Sequence, residues 1–215
     1  RDGRFSMLTS VTDEHWRSFT QVDVLQLIGA TFLIVQALVF VVKSRRAFTI
    51  AVFALAIAVL AFTHPIWVID WWRILPGWLA AYLSPARGSL FPLFPWATYV
   101  LFGAGMGQIY VSWGAARLSS YAIYALFVPG IVLSALGWGL AQIEVAPWGP
   151  DAWNFMPIQL AIRTGACLII LAGIAGASQR LKRLPRFFAA VAHETLPIYF
   201  VHLMIVYGSI WNTGL

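Results

Sequence analysis

The chain has 215 residues, of which 60% are hydrophobic and only 10% charged, with a formal net charge of +6 and a mean hydropathy of +0.79. So little polar surface cannot cover a soluble globule of this size, and the composition defines an integral membrane protein. The positive charge does not indicate nucleic acid: no nucleic-acid motif occurs, and most basic residues lie in short runs between apolar segments, where they set topology.

Residues 1–21 are polar and of mixed charge, and they lead into an apolar run from Val22 to Val42, long enough to span hydrocarbon. Lys43, Ser44, Arg45 and Arg46 close it, and an alanine-rich second span is expected from Ala47 to Thr63, ended by His64 and Pro65. The connection that follows carries Trp67, Trp71, Trp72, Trp78 and Tyr82 at partly helical spacing, broken at Pro76-Gly77. That pattern predicts a short helix lying in the membrane interface.

The stretch GSLFPLFPWATYVLFGAGMG, Gly88 to Gly107, reads as a membrane entry. Pro92 and Pro95 rigidify the approach, Trp96 and Tyr99 suit the headgroup boundary, and a third span runs from Pro95 to Trp113. Gly103 and Gly107, four apart, predict a smooth face on which another helix backbone can approach closely. A fourth span, Tyr121 to Ile143, contains Pro129-Gly130, which predicts a kink or loosened turn. A fifth, Pro157 to Ala177, runs into the densest basic cluster, Arg180, Lys182, Arg183 and Arg186, and a sixth is expected over about 190–211. The fold class is all-α, a polytopic transmembrane bundle of about six spans plus an interfacial helix, forming one transmembrane domain over 1–215.

Basic residues cluster in the first-to-second and fifth-to-sixth turns, and Arg117 is the only charge of the third-to-fourth, while the other two connections hold the tryptophans and acids, with Arg73 and Arg87 in the second-to-third. By the positive-inside rule the basic turns are cytoplasmic and both ends of the chain lie outside, with a bacterial inner membrane as the expected location. No signal-peptide pattern opens the chain at Arg1, and an upstream part is expected. No internal repeat relates the first three spans to the last three.

Ionisable residues inside spans are costly and usually face a bundle interior or a wet cavity. Arg163 is the clearest case, about 9 Å from the outer end of its span at 1.5 Å per residue. It either pairs within the bundle, where an anionic phosphate or carboxylate would suit it, or snorkels to the surface. His202 shares a helix face with Tyr199 and is either a proton-carrying group or a neutral histidine donating to a carbonyl. Asp23 and Gln26, three apart, share a face at the outer start of the first span, where Asp23 also suits a helix N-terminus. Gln36, deeper in that span, reads as an interhelical hydrogen bonder, and Glu194 as a charge at a helix start. Cys167 is the single cysteine, which excludes an internal disulfide and a cysteine-based metal site and leaves a packing role. There is no nucleophile elbow, no zinc spacing and no pair of carboxylates, and no metal is expected.

Four stretches together carry a resemblance: VDVLQLIG at Val22–Gly29, the Gly88–Gly107 element, Arg163-Thr-Gly, and LPIYFVHLMI at Leu196–Ile205. In these the chain resembles the heparan-α-glucosaminide N-acetyltransferase-like family of polytopic membrane acyltransferases, with FPLFPW the most specific part. The resemblance implies transfer of an acyl group, typically acetyl, from cytoplasmic acetyl-CoA or another acyl-CoA to an amino sugar or other glycan acceptor on the outer or luminal side. It places the family's acyl-carrying or basic histidine in a loop upstream of this chain, and His15 does not match its context. It also makes the first span here about the fourth of a complete member, and a fragment of this extent is expected to be inactive alone.

By position, the resemblance makes Asp23, Gln26 and Tyr199 candidates for the substrate cavity and His202 and Arg163 candidates for supporting catalysis. The cluster at Arg180, Lys182 and Arg183 would meet the phosphates of the donor by charge. The implied partners are the lipid bilayer, acyl-CoA and a glycan or amino-sugar acceptor, with no nucleic acid; self-association into a homo-oligomer is left open. Two other classes fit the same residues. In a proton-coupled transporter or lipid or glycan flippase, Arg163 would bind an anion and His202 relay protons. In a non-catalytic membrane scaffold these polar groups would only join helices.

Overall fold

A computed structural model describes residues 21–113, 117–142, 157–180, 187, 194, 197–199, 201 and 205. Among them every regular element is helical. The chain divides into two compact units, 1–172 and 173–215.

Helix α1, Val24–Val41, opens on a reciprocal cap: the Asp23 carboxylate accepts from the Val24 N–H at 2.7 Å, and the Gln26 amide oxygen accepts from the Asp23 N–H at 3.2 Å. It ends where Val42 turns extended. Ser44 then opens α2, Arg45–Val68, its hydroxyl accepting from the Ala47 N–H at 3.5 Å. The expected stop at His64 and Pro65 does not occur; α2 continues through both to Val68. A proline removes only its own N–H, and a helix near the membrane boundary can re-satisfy the freed carbonyl.

The tryptophan-rich connection forms two short helices, α3 (Trp71–Ile74) and α4 (Gly77–Leu83), separated at Pro76 as the Pro-Gly pair predicts. The Trp71 indole N–H donates to the Ile66 carbonyl at 2.7 Å and closes the corner after α2. Helix α5, Leu93–Trp113, carries its irregular entry inside FPLFPW: Phe94 is non-helical at φ −94°, ψ 119°. Helix α6 runs over Leu118–Ala141. Its stretch Tyr121–Phe127 is wound as a π-helix, with the Val128 N–H donating five residues back to Ile123. The loosened turn expected from Pro129-Gly130 therefore lies just upstream of the proline, whose ring crowds the carbonyl four residues back and whose missing N–H cannot close a regular turn. Helix α7 is Pro157–Arg180.

Four helices are long and apolar enough to cross a membrane among the described residues: Val24–Val41, Arg45–Val68, Leu118–Ala141 and Ile158–Arg180. They are four of the six spans expected from the sequence. Helix α5 has a span's length at 21 residues, but its glycines, Pro95, Trp96, tyrosines and Gln108 dilute its apolar character. The sixth expected span, about 190–211, lies mostly outside the described residues. Phe40 and Val41 are 76% and 78% exposed at the end of α1, an apolar surface that only lipid or other helices would cover.

In the first unit α2 packs most extensively on α5, and α1 packs on α5 beside it. The buried centre comprises Leu27, Phe48, Val52, Ala56, Ala97 and Leu101, with Ala81 of α4 capping one end. Phe53 meets Phe102 edge to face at 5.2 Å and covers Gly105, where an added Cβ would lie 2.6 Å from its ring. Gly105 is thus the close-approach glycine of α5, whereas a Cβ at Gly103 or Gly107 would meet nothing within 4 Å. The reason is phase: Gly105 is seven residues from Thr98, on the same face, and the Thr98 hydroxyl donates to the Ala56 carbonyl of α2 at 3.3 Å. Another small-residue contact joins α6 to α7. Added carbons at Gly130 and Gly137 would lie 2.9 Å from Ile169 and 2.7 Å from Ile162, and one at Gly165 would run into the Ser134 hydroxyl. In the second unit, beyond the end of α7, Phe187, residues 197–199, 201 and 205 are helical.

Candidate functional site

Helices α5 and α7 bring together two half-buried polar side chains of the first unit, Tyr99 and Arg163. Tyr99 is six residues into α5 and Arg163 six residues into α7. Each residue therefore lies about 9 Å along its own helix at 1.5 Å per residue. The Arg163 guanidinium lies beside the Tyr99 hydroxyl and interacts with it electrostatically, and Cys167, one turn further along α7, lies on the same side. The hydroxyl itself is buried and makes no hydrogen bond of standard geometry. Trp96, one turn before Tyr99's position on the preceding stretch of α5, packs between Phe91 at 5.1 Å and Tyr99 at 6.0 Å. FPLFPW therefore supplies an aromatic wall that holds the tyrosine.

Chemically, the pair offers charge-assisted donors from arginine, which has no acceptor, and a phenol that both donates and accepts. Such a pair can hold an oxyanion or an anionic group in a site with little competing water. Arg163 was legible as an intramembrane charge, but Tyr99 read only as a boundary aromatic. Their pairing follows from how α5 and α7 pack, which the residues of neither helix alone reveal.

The other candidates fall elsewhere. Asp23 and Gln26 are brought together, as their spacing predicts, but both are engaged in the α1 cap. Arg180 is the exposed last residue of α7, in the second unit, where Tyr199 is half-buried. His202, Lys182 and Arg183 lie outside the described residues. Gln36 is exposed on α1, and Cys167 is exposed rather than packed in a core.

A cleft of about 280 Å³ opens between α2, α5, α6 and α7, walled by Phe53, Phe102, Leu133 and Leu160, with Thr98 and Thr164 its hydroxyl-bearing residues. Thr98 already donates to Ala56, so the cleft suits an apolar chain better than a polar substrate. It places an apolar slot one residue along from both Tyr99 and Arg163.

Fold and site together define a polytopic α-helical membrane protein with an arginine and a tyrosine paired inside the bundle. The chain belongs to the family described as heparan-alpha-glucosaminide N-acetyltransferase, catalytic, whose model matches residues 6–138. The matched region contains α1 to α5, the FPLFPW element and Tyr99; Arg163 lies beyond it. Comparison with curated proteins returns no match, and neither does comparison with solved structures.

Proposed function

We propose that this chain carries part of the acyl-transfer site of a membrane acyltransferase, which moves an acetyl group from acetyl-CoA at the cytoplasmic face to an amino sugar or other glycan acceptor on the far side. Membership of the acetyltransferase family supports the reaction class, and the Tyr99–Arg163 pair is the observation that carries the site. In the transfer, the acceptor nitrogen or oxygen bonds to the acetyl carbonyl carbon and loses a proton. The thioester C–S bond breaks, and the coenzyme A sulfur leaves as a thiolate that takes up a proton. Negative charge develops on the carbonyl oxygen between these events, and fixed donors aimed at that oxygen lower the barrier. Arg163 and Tyr99 fill this role. By the family resemblance, the base that receives the acceptor proton is a histidine.

The test uses the full-length protein in proteoliposomes, with labelled acetyl-CoA on the cytoplasmic side and a panel of amino sugars on the other. Labelled N-acetyl product that forms with wild type and is lost with Arg163→Ala supports the reading. Retention of full transfer by a folded Arg163→Ala variant removes Arg163 from the site, and absence of any transfer by an oriented, folded wild type removes the acyltransferase reading.

A further inference from the structure

A second cleft, of about 210 Å³, lies at the turn between α1 and α2, where Lys43, Ser44 and Arg45 meet Gln108 of α5 over an apolar floor that includes Val42 and Phe48. Among the described residues no carboxylate pairs with Lys43 or Arg45; the ion pair found is Arg73–Asp70, at 3.0 Å. Gln108 is held by its neighbour one turn on: its amide donates to the Ser112 hydroxyl at 3.3 Å, which leaves a second amide N–H for a ligand. Two cations, a hydroxyl and an amide donor above an apolar floor fit a phosphate group joined to something apolar.

Phase on α5 decides between the sources of such a group. Gln108 and Tyr99 are nine residues apart, two and a half turns at about 3.6 residues per turn, so they stand on opposite faces of the helix. A donor whose phosphates sat in this cleft would have α5 between it and Arg163. The apolar floor instead runs into the exposed end of α1, where Val39, Phe40 and Val41 are 50%, 76% and 78% exposed and acyl chains would lie. We propose that this cleft binds the headgroup of an anionic phospholipid, its phosphate on Lys43, Arg45 and Gln108 and its chains along α1. Basic pockets between spanning helices at a membrane surface recognise anionic headgroups in this way. The site is separate from the acyl-transfer site and does not depend on it.

The experiment reconstitutes the full-length protein in phosphatidylcholine vesicles and measures its association with spin-labelled phosphatidylglycerol relative to spin-labelled phosphatidylcholine. Wild type should prefer the anionic lipid, with each cleft cation contributing about fivefold at low salt, and the preference should shrink as salt rises. The Lys43→Gln/Arg45→Gln variant should lose it, and the charge-conserving Lys43→Arg/Arg45→Lys variant should keep it and report correct folding. Arg46→Gln, in the same turn but outside the cleft lining, should leave it unchanged; an equal loss there would mean diffuse surface attraction and overturn the site. Undiminished preference in the Lys43→Gln/Arg45→Gln variant would also overturn it. Displacement of the labelled lipid by free coenzyme A, together with a raised KM for acetyl-CoA in that variant, would reassign the cleft to the donor.

Discussion

The buried hydroxyl of Tyr99 on α5 lies beside the guanidinium of Arg163 on α7, at the same offset from the starts of the two helices. An arginine in a spanning helix is tolerated where it pairs, lines a wet cavity or snorkels, and here the guanidinium stands against the Tyr99 phenol.

Removing one preorganised donor to a developing oxyanion typically costs about 100-fold or more in kcat. Arg163→Ala should therefore lower kcat for acetyl transfer by about that factor, whereas loss of the phenol in Tyr99→Phe removes one hydrogen bond and should cost about tenfold. The double variant should fall well short of the product of the two losses, because the side chains act on one oxygen. Steady-state kinetics in oriented proteoliposomes give all three values. Losses that multiply cleanly would place the two residues in separate roles.

The contact between α6 and α7 is set by glycines. A Cβ at Gly165 would meet the Ser134 hydroxyl and come within 2.6 Å of the Gly130 carbonyl, whose backbone cannot retreat without separating the helices. Gly165→Val should destabilise the protein by about 1–3 kcal/mol, the usual cost of overpacking. Gly103→Ala and Gly107→Ala point into open space and should change stability by less than about 0.5 kcal/mol. Thermal unfolding of detergent-purified variants separates the two outcomes, and a fall in Tm for Gly107→Ala equal to that for Gly165→Val would show that α5 makes a contact on that face.

These glycines also show what a sequence can and cannot reveal. Hydropathy and basic turns located α1, α2, α6 and α7 within a few residues, because spanning length and charge are local properties. The Pro-Gly breaks at Pro76 and Pro129 were equally legible, since a missing N–H acts within one turn. Which glycine of Gly103, Gly105 and Gly107 receives a neighbour depends instead on the direction in which α2 packs, and that is decided by Thr98, Leu101 and Phe53 on two different helices. For the same reason Arg163 was visible as an anomaly of one helix, while its partner Tyr99 required the second helix to be in place. Pro65 misled because its cost is lower at a membrane boundary than in the middle of a soluble helix.

Asp23 and Gln26 can be tested for a role beyond capping. Asp23→Ala should cost about 1 kcal/mol of stability through loss of the cap, and Asp23→Asn, which retains an acceptor oxygen, should recover most of it. Thermal unfolding reads the structural part and acetyl transfer reads the functional part. Normal transfer in the stable Asp23→Asn variant would confine Asp23 to the cap, while a large loss of transfer at unchanged Tm would show that its charge serves the substrate cavity.

The loop ahead of FPLFPW fixes where Trp96 and Tyr99 enter the bundle. Gly88 adopts φ +93°, a left-handed conformation that side chains rarely take, and an added Cβ would press on the Gln21 amide at 2.7 Å. Two residues on, the Leu90 and Phe91 N–H groups both donate to the Val22 carbonyl, at 3.2 and 3.0 Å, and the buried Ser89 hydroxyl donates to the Ala81 carbonyl at 2.6 Å. These bonds tie the start of α5 to α1 and α4. Gly88→Ala should destabilise by about 1–2 kcal/mol, since the left-handed region costs a non-glycine residue that much, and Ser89→Ala should cost about 1 kcal/mol for its hydrogen bond. Both should also lower acetyl transfer more than their stability loss explains, because a shift of about 1 Å at a site can cost on the order of 100-fold in rate. Transfer rates measured below the onset of unfolding provide the check: unchanged transfer in both variants would mean that the position of the FPLFPW wall does not govern Tyr99.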